Sequence, residues 1–478
     1  MKIHHTQRFA ARELAVAAAL TASVLCSPAL ADTSRLQSLL AAAPADSWIQ
    51  VNTGSWSSAW PTGSTAVQGA GNNTRAVVTA WSSFAWDSAN DSLLLWGGGH
   101  ANYKGNEMYV WDAGLGTWSL GSLPSRIDAN NYVVDNAAPQ SSHTYDNNLY
   151  LPVNNMFVTF GGAAYNSGGN FSTNINGVVQ RAGPWLWDPT KADSTKVGGT
   201  TGSGYNASTL GGSMWTNRAS SVTGSLSPNY LEDATAYRTE NGKDVVYVTS
   251  DSQGSGYANL YRYEFGDVRN GGVDKATVVG VTATKRSSQG AATIDSTLNL
   301  FVRTASFEGA SAADLVVWNL ANNNNVTPQL NPEIAVTLKT ADGADFSIST
   351  LYGIDYDSDN GKYYLWNGTS LWSTQASYDA KGKLLTTWKV TLLSNTGSTV
   401  PNGNYVNGVI GKWHYIEELG AFMALDEYST STGDAGVWLY KPTFTSAVPE
   451  APAALMLAGG LGMLLRSRRL RSAQQALR

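Results

Sequence analysis

Six times along this chain an aromatic or apolar run leads through a polar turn into a second, more hydrophobic run. The units are "FAWDSANDSLLLWGG" (84–98), "LYLPVNNMFVTFGG" (149–162), "TAYRTENGKDVVYVTS" (235–250), "ATIDSTLNLFVRTAS" (292–306), "GIDYDSDNGKYYLWNG" (353–368) and "WHYIEELGAFMAL" (413–425). Each reads as a β-hairpin. The turns fall near Asn90, Asn154, Asn241, Ser296, Asn360 and Leu419, a spacing of about sixty residues. The second runs do not alternate with polar residues, so both of their faces must be covered. A repeat of this length with two buried strands predicts a propeller blade rather than a solenoid rung. The expected fold is therefore all-β, a six-bladed β-propeller. The longest interval, Asn154 to Asn241, holds Gly/Ser/Asn-rich inserts at 163–177 and 196–212, or else a seventh blade.

Composition agrees with this reading. Charged residues are 14% of the chain, with 48 Gly, 22 Tyr and 17 Trp. Aromatic strands and small polar turns need that mixture. No long helical period appears in the body. The last hairpin is followed by only one more run, "GVWLYKP", giving three strands there. An orphan run near the front, "SWIQVNTGSW", would supply the fourth and remove two open edges.

Both ends differ from the body. Residues 1–31 carry Lys2, Arg8 and Arg12, then the short apolar run "AVAAALTASVLC", then "ALA". This is the layout of a secretory signal peptide, with Ala29 and Ala31 as the small residues signal peptidase reads. Cys26, the single cysteine, lies inside it, so the mature chain would form no disulfide. At the other end, Pro449 and Glu450 precede a 453–465 apolar run that is short for a stable span, and Arg466, Arg468, Arg469 and Arg471 follow. The domains read as 1–31 signal, 32–447 propeller and 448–478 anchor and tail. The full chain has a formal charge of −5, and removing the two basic ends leaves a more acidic body. Nucleic acid is a poor partner for it, and polyanionic glycans would need a local basic patch.

Two resemblances attach to these residues. Pro449-Glu450, Pro452, the short apolar helix and the arginine cluster resemble the PEP-CTERM sorting signal of Gram-negative bacteria, with Ala451 intervening before Pro452. That resemblance implies transient inner-membrane anchoring, processing by an exosortase-type peptidase, and delivery to the cell surface or extracellular matrix. In the body, Gly97-Gly98, Trp111-Asp112 and Trp118 resemble a kelch repeat. Gly161-Gly162 with Trp187-Asp188 repeats part of it, and Trp438 and Tyr440 echo its third strand. The kelch resemblance implies a β-propeller and no particular chemistry. A copper radical oxidase of the galactose oxidase kind also uses kelch blades, but it needs a cysteine that the mature chain lacks.

Chemistry is concentrated in "GGGHANYKGNE", 97–107. The three glycines are followed by no Gly-Lys-Ser/Thr, so they are not a Walker loop, and no Gly-x-Ser-x-Gly elbow exists to make them an oxyanion loop. They read as a sharp bend with positive φ, packed on the next blade. His100 then falls in the loop between second and third strands, and His143 in the connection into the second blade. A propeller would bring both to one mouth, with Tyr103, Asn106, Glu107 and Tyr145 nearby. Three readings are open. The histidines could bond loop backbone and shape the rim. The group His100, Tyr103, Asn106, His143 and Tyr145 could bind a glycan or protein. His100, His143 and Tyr103 could act as base and acid in a polysaccharide-lyase-like enzyme, although no arginine in these loops would neutralise a uronate. His414 reads as a satisfied core histidine. Asp355, Asp357 and Asp359 mimic a calcium loop, but Gly361 comes one place late and Trp366 stands where a glutamate is needed, so a hairpin turn is expected. Trp56 and Trp60 read as the exposed tryptophans. No metal set and no cofactor motif is found.

Overall fold

In the computed structural model the described residues are 33–444, except 68–71, 135–136, 167–171, 176–177, 182, 201, 225–232, 252–257, 282–288, 305–313, 323–330, 350 and 404. The expected signal peptide, with Ala29 and Ala31, and the C-terminal Pro449, Glu450, Pro452, Arg466, Arg468, Arg469 and Arg471 lie outside them. Among the described residues no helix is long and apolar enough to cross a membrane.

The chain is all-β. All six hairpins read from the sequence are present, and each begins a sheet. The first sheet contains Phe84–Asp87, Ser92–Leu95, Tyr109–Asp112 and Thr117–Leu120. The second contains Asn148–Leu151, Met156–Thr159, Trp185–Trp187 and Trp215–Asn217. The third contains Ala234–Glu240, Lys243–Asp251, Ala258–Glu264 and Asp274–Gly280, with Val222–Gly224 added in parallel at its outer edge. The fourth contains Ala292–Asp295, Leu300–Thr304, Leu315–Asn319 and Ile334–Lys339. The fifth contains Gly353–Asp357, Lys362–Trp366, Leu371–Thr374 and Thr387–Leu392. The outer strands of these two pair in parallel, so hydrogen bonding runs continuously from one to the other. The sixth contains Trp413–Ile416, Ala421–Ser429 and Asp434–Lys441. Its fourth strand is Ser47–Gln50, which pairs antiparallel with Asp434–Lys441 as the sequence suggested.

The unbroken apolar second strands are explained by what covers them. Ser92–Leu95, Met156–Thr159 and Leu300–Thr304 are buried at every position. Their alternate side chains enter different layers. Leu93 and Leu95 pack with Met423, Leu425 and Leu439 of the sixth sheet, while Leu94 packs with Phe157 and Trp185 of the second. Leu151 and Val158 meet Val246 and Tyr263 of the third sheet, and Tyr247 meets Phe301 and Trp318 of the fourth. Val302 and Val317 meet Tyr363 and Trp388 of the fifth, and Trp366 meets Trp413 and Trp438 of the sixth. Each apolar layer thus lies between consecutive sheets. The first strands touch their neighbours in chain order, and the sixth returns to the first through a Ser83–Gly411 bridge.

The long interval between the second and third hairpins contains Ser172–Ile175 paired with Val178–Arg181, and no further four-stranded sheet among the described residues. Its second insert runs beside the segment after the first sheet, where Leu123 N donates to Lys196 O. One expectation about tryptophan is corrected. Trp56 is fully buried in a 3₁₀ turn, 56–59, and packs edge-on against Trp60 and Tyr109. The carboxylate of Asp434 accepts its backbone N–H, which draws the turn onto the sixth sheet.

Candidate functional site

The glycine run bends as expected. Gly97 and Gly98 have φ of 146° and 107°. A Cβ on Gly99 would lie 2.2 Å from Ser142 Cα, in the connection into the second sheet. That close approach carries His100 to His143, with ring centroids 5.4 Å apart. His143 also lies 4.9 Å from the Trp81 ring and 6.0 Å from the Tyr145 ring. Three of the predicted residues, His100, His143 and Tyr145, therefore gather at the end of the molecule where the first strands begin.

Their chemistry is less open than their positions. His143 is buried, and Asn102 Nδ2 lies 3.0 Å from its Nε2. With Asn102 donating, the ring proton sits on Nδ1. Burial, and then the neighbouring His100, push its pKa down to about 3, against an opposing pull from the Gly99 backbone. It is neutral near pH 7 and a weak base, poorly matched to general-base work. Tyr103 and Asn106 are corrections to the predicted group. Tyr103 is sealed in the core and its hydroxyl donates to Glu107 Oε1 at 2.6 Å. Burial, then Glu107, hold that hydroxyl well above its ordinary range, so it is a poor proton donor. Asn106 is buried too, donating to Ser125 Oγ and Pro139 O and accepting from Ser125 N. Both residues hold the loop; neither is presented at the rim.

A cavity of about 530 Å³ lies along the first strands and reaches the end where they finish. All six first strands contribute to its wall, and the ends of those strands and the turns that follow, with Ser88, Pro152, Thr239, Ser296, Ser358 and Glu417, form its mouth. Asx bonding fixes these turns. Asp87 accepts from Ala89 N and Asn90 N, and Asp357 accepts from Asp359 N and Asn360 N. The calcium-like segment is thus a hairpin turn, as expected. Trp86, Tyr237 and Tyr415 are the partly exposed aromatic side chains of the wall.

His414 lines this cavity and pairs with one of its carboxylates. Its Nδ1 is 3.5 Å from Asp355 Oδ2 and its Nε2 is 3.0 Å from Gly411 O. Asp355 also accepts from Tyr415 N at 2.8 Å, Tyr356 N at 2.7 Å and the Thr293 hydroxyl. Asp146 is buried and accepts from Thr235 N and Ala292 N, tying the second sheet's connection to the third and fourth. Burial pushes Asp146 up to about 7, with the charge interaction with His414 opposing. Burial works against charge on His414, but Asp355, Asp146 and the Gly411 carbonyl outweigh it and the net shift is upward. A protonated ring donates to both its partners; a neutral one serves only one.

His414 was read as a satisfied core histidine, and both its nitrogens do have partners. Sequence reasoning missed that it floors a cavity. A usable signal existed: stacking the repeats on their turns aligns Trp86, Tyr150, Tyr237, Tyr356 and Tyr415, each four residues before its turn.

No family model matches the sequence, and no curated relative matches it. Among solved structures, the chain is similar to an auxiliary nutrient binding protein from Bacteroides thetaiotaomicron, at 10% identity and a TM-score of 0.34, over 75% of this chain and 68% of that one. It is also similar to a chain named as an oxidoreductase (glucose dehydrogenase) from Thermus thermophilus, at 9% identity and a TM-score of 0.24, over 76% and 98%.

Proposed function

We propose that the six sheets are the blades of a six-bladed, kelch-like β-propeller closed by the strand at 47–50, and that this propeller recognises a glycan at the mouth of its axial cavity. The observation that carries the reading is the wall of that cavity: one strand from each of six sheets, partly exposed Trp86, Tyr237 and Tyr415, and hydroxyl, amide and carboxylate groups between them. Aromatic faces with a few fixed polar groups suit sugar rings. The apolar layers between consecutive sheets, and the glycine bend after Leu95, support the blade assignment. The ends of the chain support export through signal peptidase, transient inner-membrane anchoring, and an exosortase-type step that delivers the propeller to the surface or matrix.

The lyase-like reading is weaker. Tyr103 is committed to Glu107, and His143 is too weakly basic for its expected role. The test uses the purified full chain on a panel of neutral and uronate polysaccharides, following retention and the ultraviolet absorbance of unsaturated ends. Retention on a neutral glycan without absorbance is expected. Absorbance that disappears in His100→Ala or His143→Ala would return the enzyme reading.

A further inference from the structure

The charged groups of the axial mouth are unevenly committed. Its wall holds Arg238, His414 and three carboxylates, Asp355, Glu417 and Glu418. Arg238 is already paired: Nε donates to Glu240, one terminal nitrogen to Asn299 and the other to the Tyr247 hydroxyl. His414 is held by Asp355 and the Gly411 carbonyl. An anionic sugar would have to compete with these partners. The carboxylates at the junction of the sixth and first sheets accept from neutral donors instead, Glu417 from the Ser358 hydroxyl at 3.5 Å and Glu418 from an indole. Glu417 and Glu418 are exposed, on a single 3₁₀ turn that follows the sixth sheet's first strand. Glu418 accepts the indole N–H of Trp86, which fixes the carboxylate beside that ring. Tyr415 adds a second partly exposed ring, fixed by its own bond to Asp359 at 2.7 Å.

An aromatic face next to a fixed carboxylate is the surface chemistry that recognises an ammonium group. The ring attracts the cation through its quadrupole and the carboxylate supplies the counter-charge. On the strength of the glycan reading above, we infer that Trp86, Tyr415, Glu417 and Glu418 form an ammonium subsite, so that the favoured ligand is a saccharide carrying free amines. A neutral sugar would fill the same cavity without using these carboxylates. A uronate would meet them as like charges.

The experiment titrates the full chain with three probes: a glucosamine hexamer, an N-acetylglucosamine hexamer and a galacturonate hexamer. The expected order is glucosamine, then N-acetylglucosamine, then galacturonate, with the glucosamine affinity falling as salt rises. The double variant Glu417→Gln/Glu418→Gln should weaken glucosamine binding about fivefold and remove its preference over N-acetylglucosamine, with the melting temperature unchanged. Equal affinity for the first two probes, a double variant that keeps the amine preference, or preference for galacturonate would overturn the ammonium subsite and leave the glycan reading standing. Failure of all three probes to bind would overturn both.

Discussion

Asp146 and His414 show how much one buried position can demand. Asp146 sits in the connection into the second sheet, and its folded pKa, about 7, stands above a carboxyl group's ordinary 3.8. Folding therefore favours its protonated form. The contribution is complete below about pH 4 and is lost as pH climbs toward 7. His414 is also displaced upward, so its contribution is present below its ordinary 6.5 and lost as pH rises through the folded value. Both run in one direction, toward lower stability from mildly acid to alkaline solution. Asp146→Asn should flatten the melting temperature against pH between about 4 and 7 relative to wild type; parallel curves would contradict this origin. At Glu107, Tyr103→Phe removes one of two hydroxyl donors from a buried carboxylate whose Oε2 is unpartnered. It should cost about 1–3 kcal/mol in urea unfolding and leave axial ligand binding unchanged. At this scale the sequence was legible where chain geometry decided position, as in the meeting of His100 and His143. It was not legible where a side chain could turn either way: Tyr103 and Asn106 share the His100 loop, yet both turn inward to buried partners.

Among the elements, the glycine bend and the hairpins followed from local rules. A strand with unbroken Leu93, Leu94 and Leu95 has to be covered twice, and the structure covers it with the second and sixth sheets. Gly99→Ala would drive a methyl group into backbone at Ser142. Because backbone cannot step aside cheaply, a loss of at least about 2 kcal/mol, or failure to accumulate folded protein, is expected in a denaturation series. An unchanged midpoint would show that the bend tolerates a side chain. Trp56 was misread for a definable reason. Its neighbours in "GSWSSAWPTG" are small and polar and have no strand period, so nothing local marks burial. What buries it is Asp434, almost the whole chain away, together with Tyr109 and Tyr428. The short helix Ser34–Ala42 was also unmarked. It is fastened by its surroundings: Leu36 and Leu40 enter the layer between the sixth and first sheets, and Lys441 donates to Leu40 O and Ala43 O.

For the molecule as a whole, the joining of the two ends is the decisive contact. Ser47–Gln50 completes the last sheet, and Trp48 lies 5.0 Å from Trp366 of the fifth sheet and 5.5 Å from Trp413 of the sixth. Removing residues 33–52 should expose the edge of Asp434–Lys441 and strip the layer beneath Trp48. A lower melting temperature and concentration-dependent association by light scattering are the expected result. The six-fold repeat and this closure could be read in advance because each rests on hairpin chemistry within a few residues. The cavity could not, since its wall takes one strand from each of six distant segments and exists only once those segments have come together. The most direct test of the central claim locates the binding site. Calorimetric titration of the full chain with whichever neutral oligosaccharide it retains would compare wild type with Tyr237→Ala, Tyr415→Ala and His100→Ala. Losses of about tenfold in each tyrosine variant are predicted, with His100→Ala unchanged. Binding abolished by His100→Ala and unaffected by the axial substitutions would contradict the account.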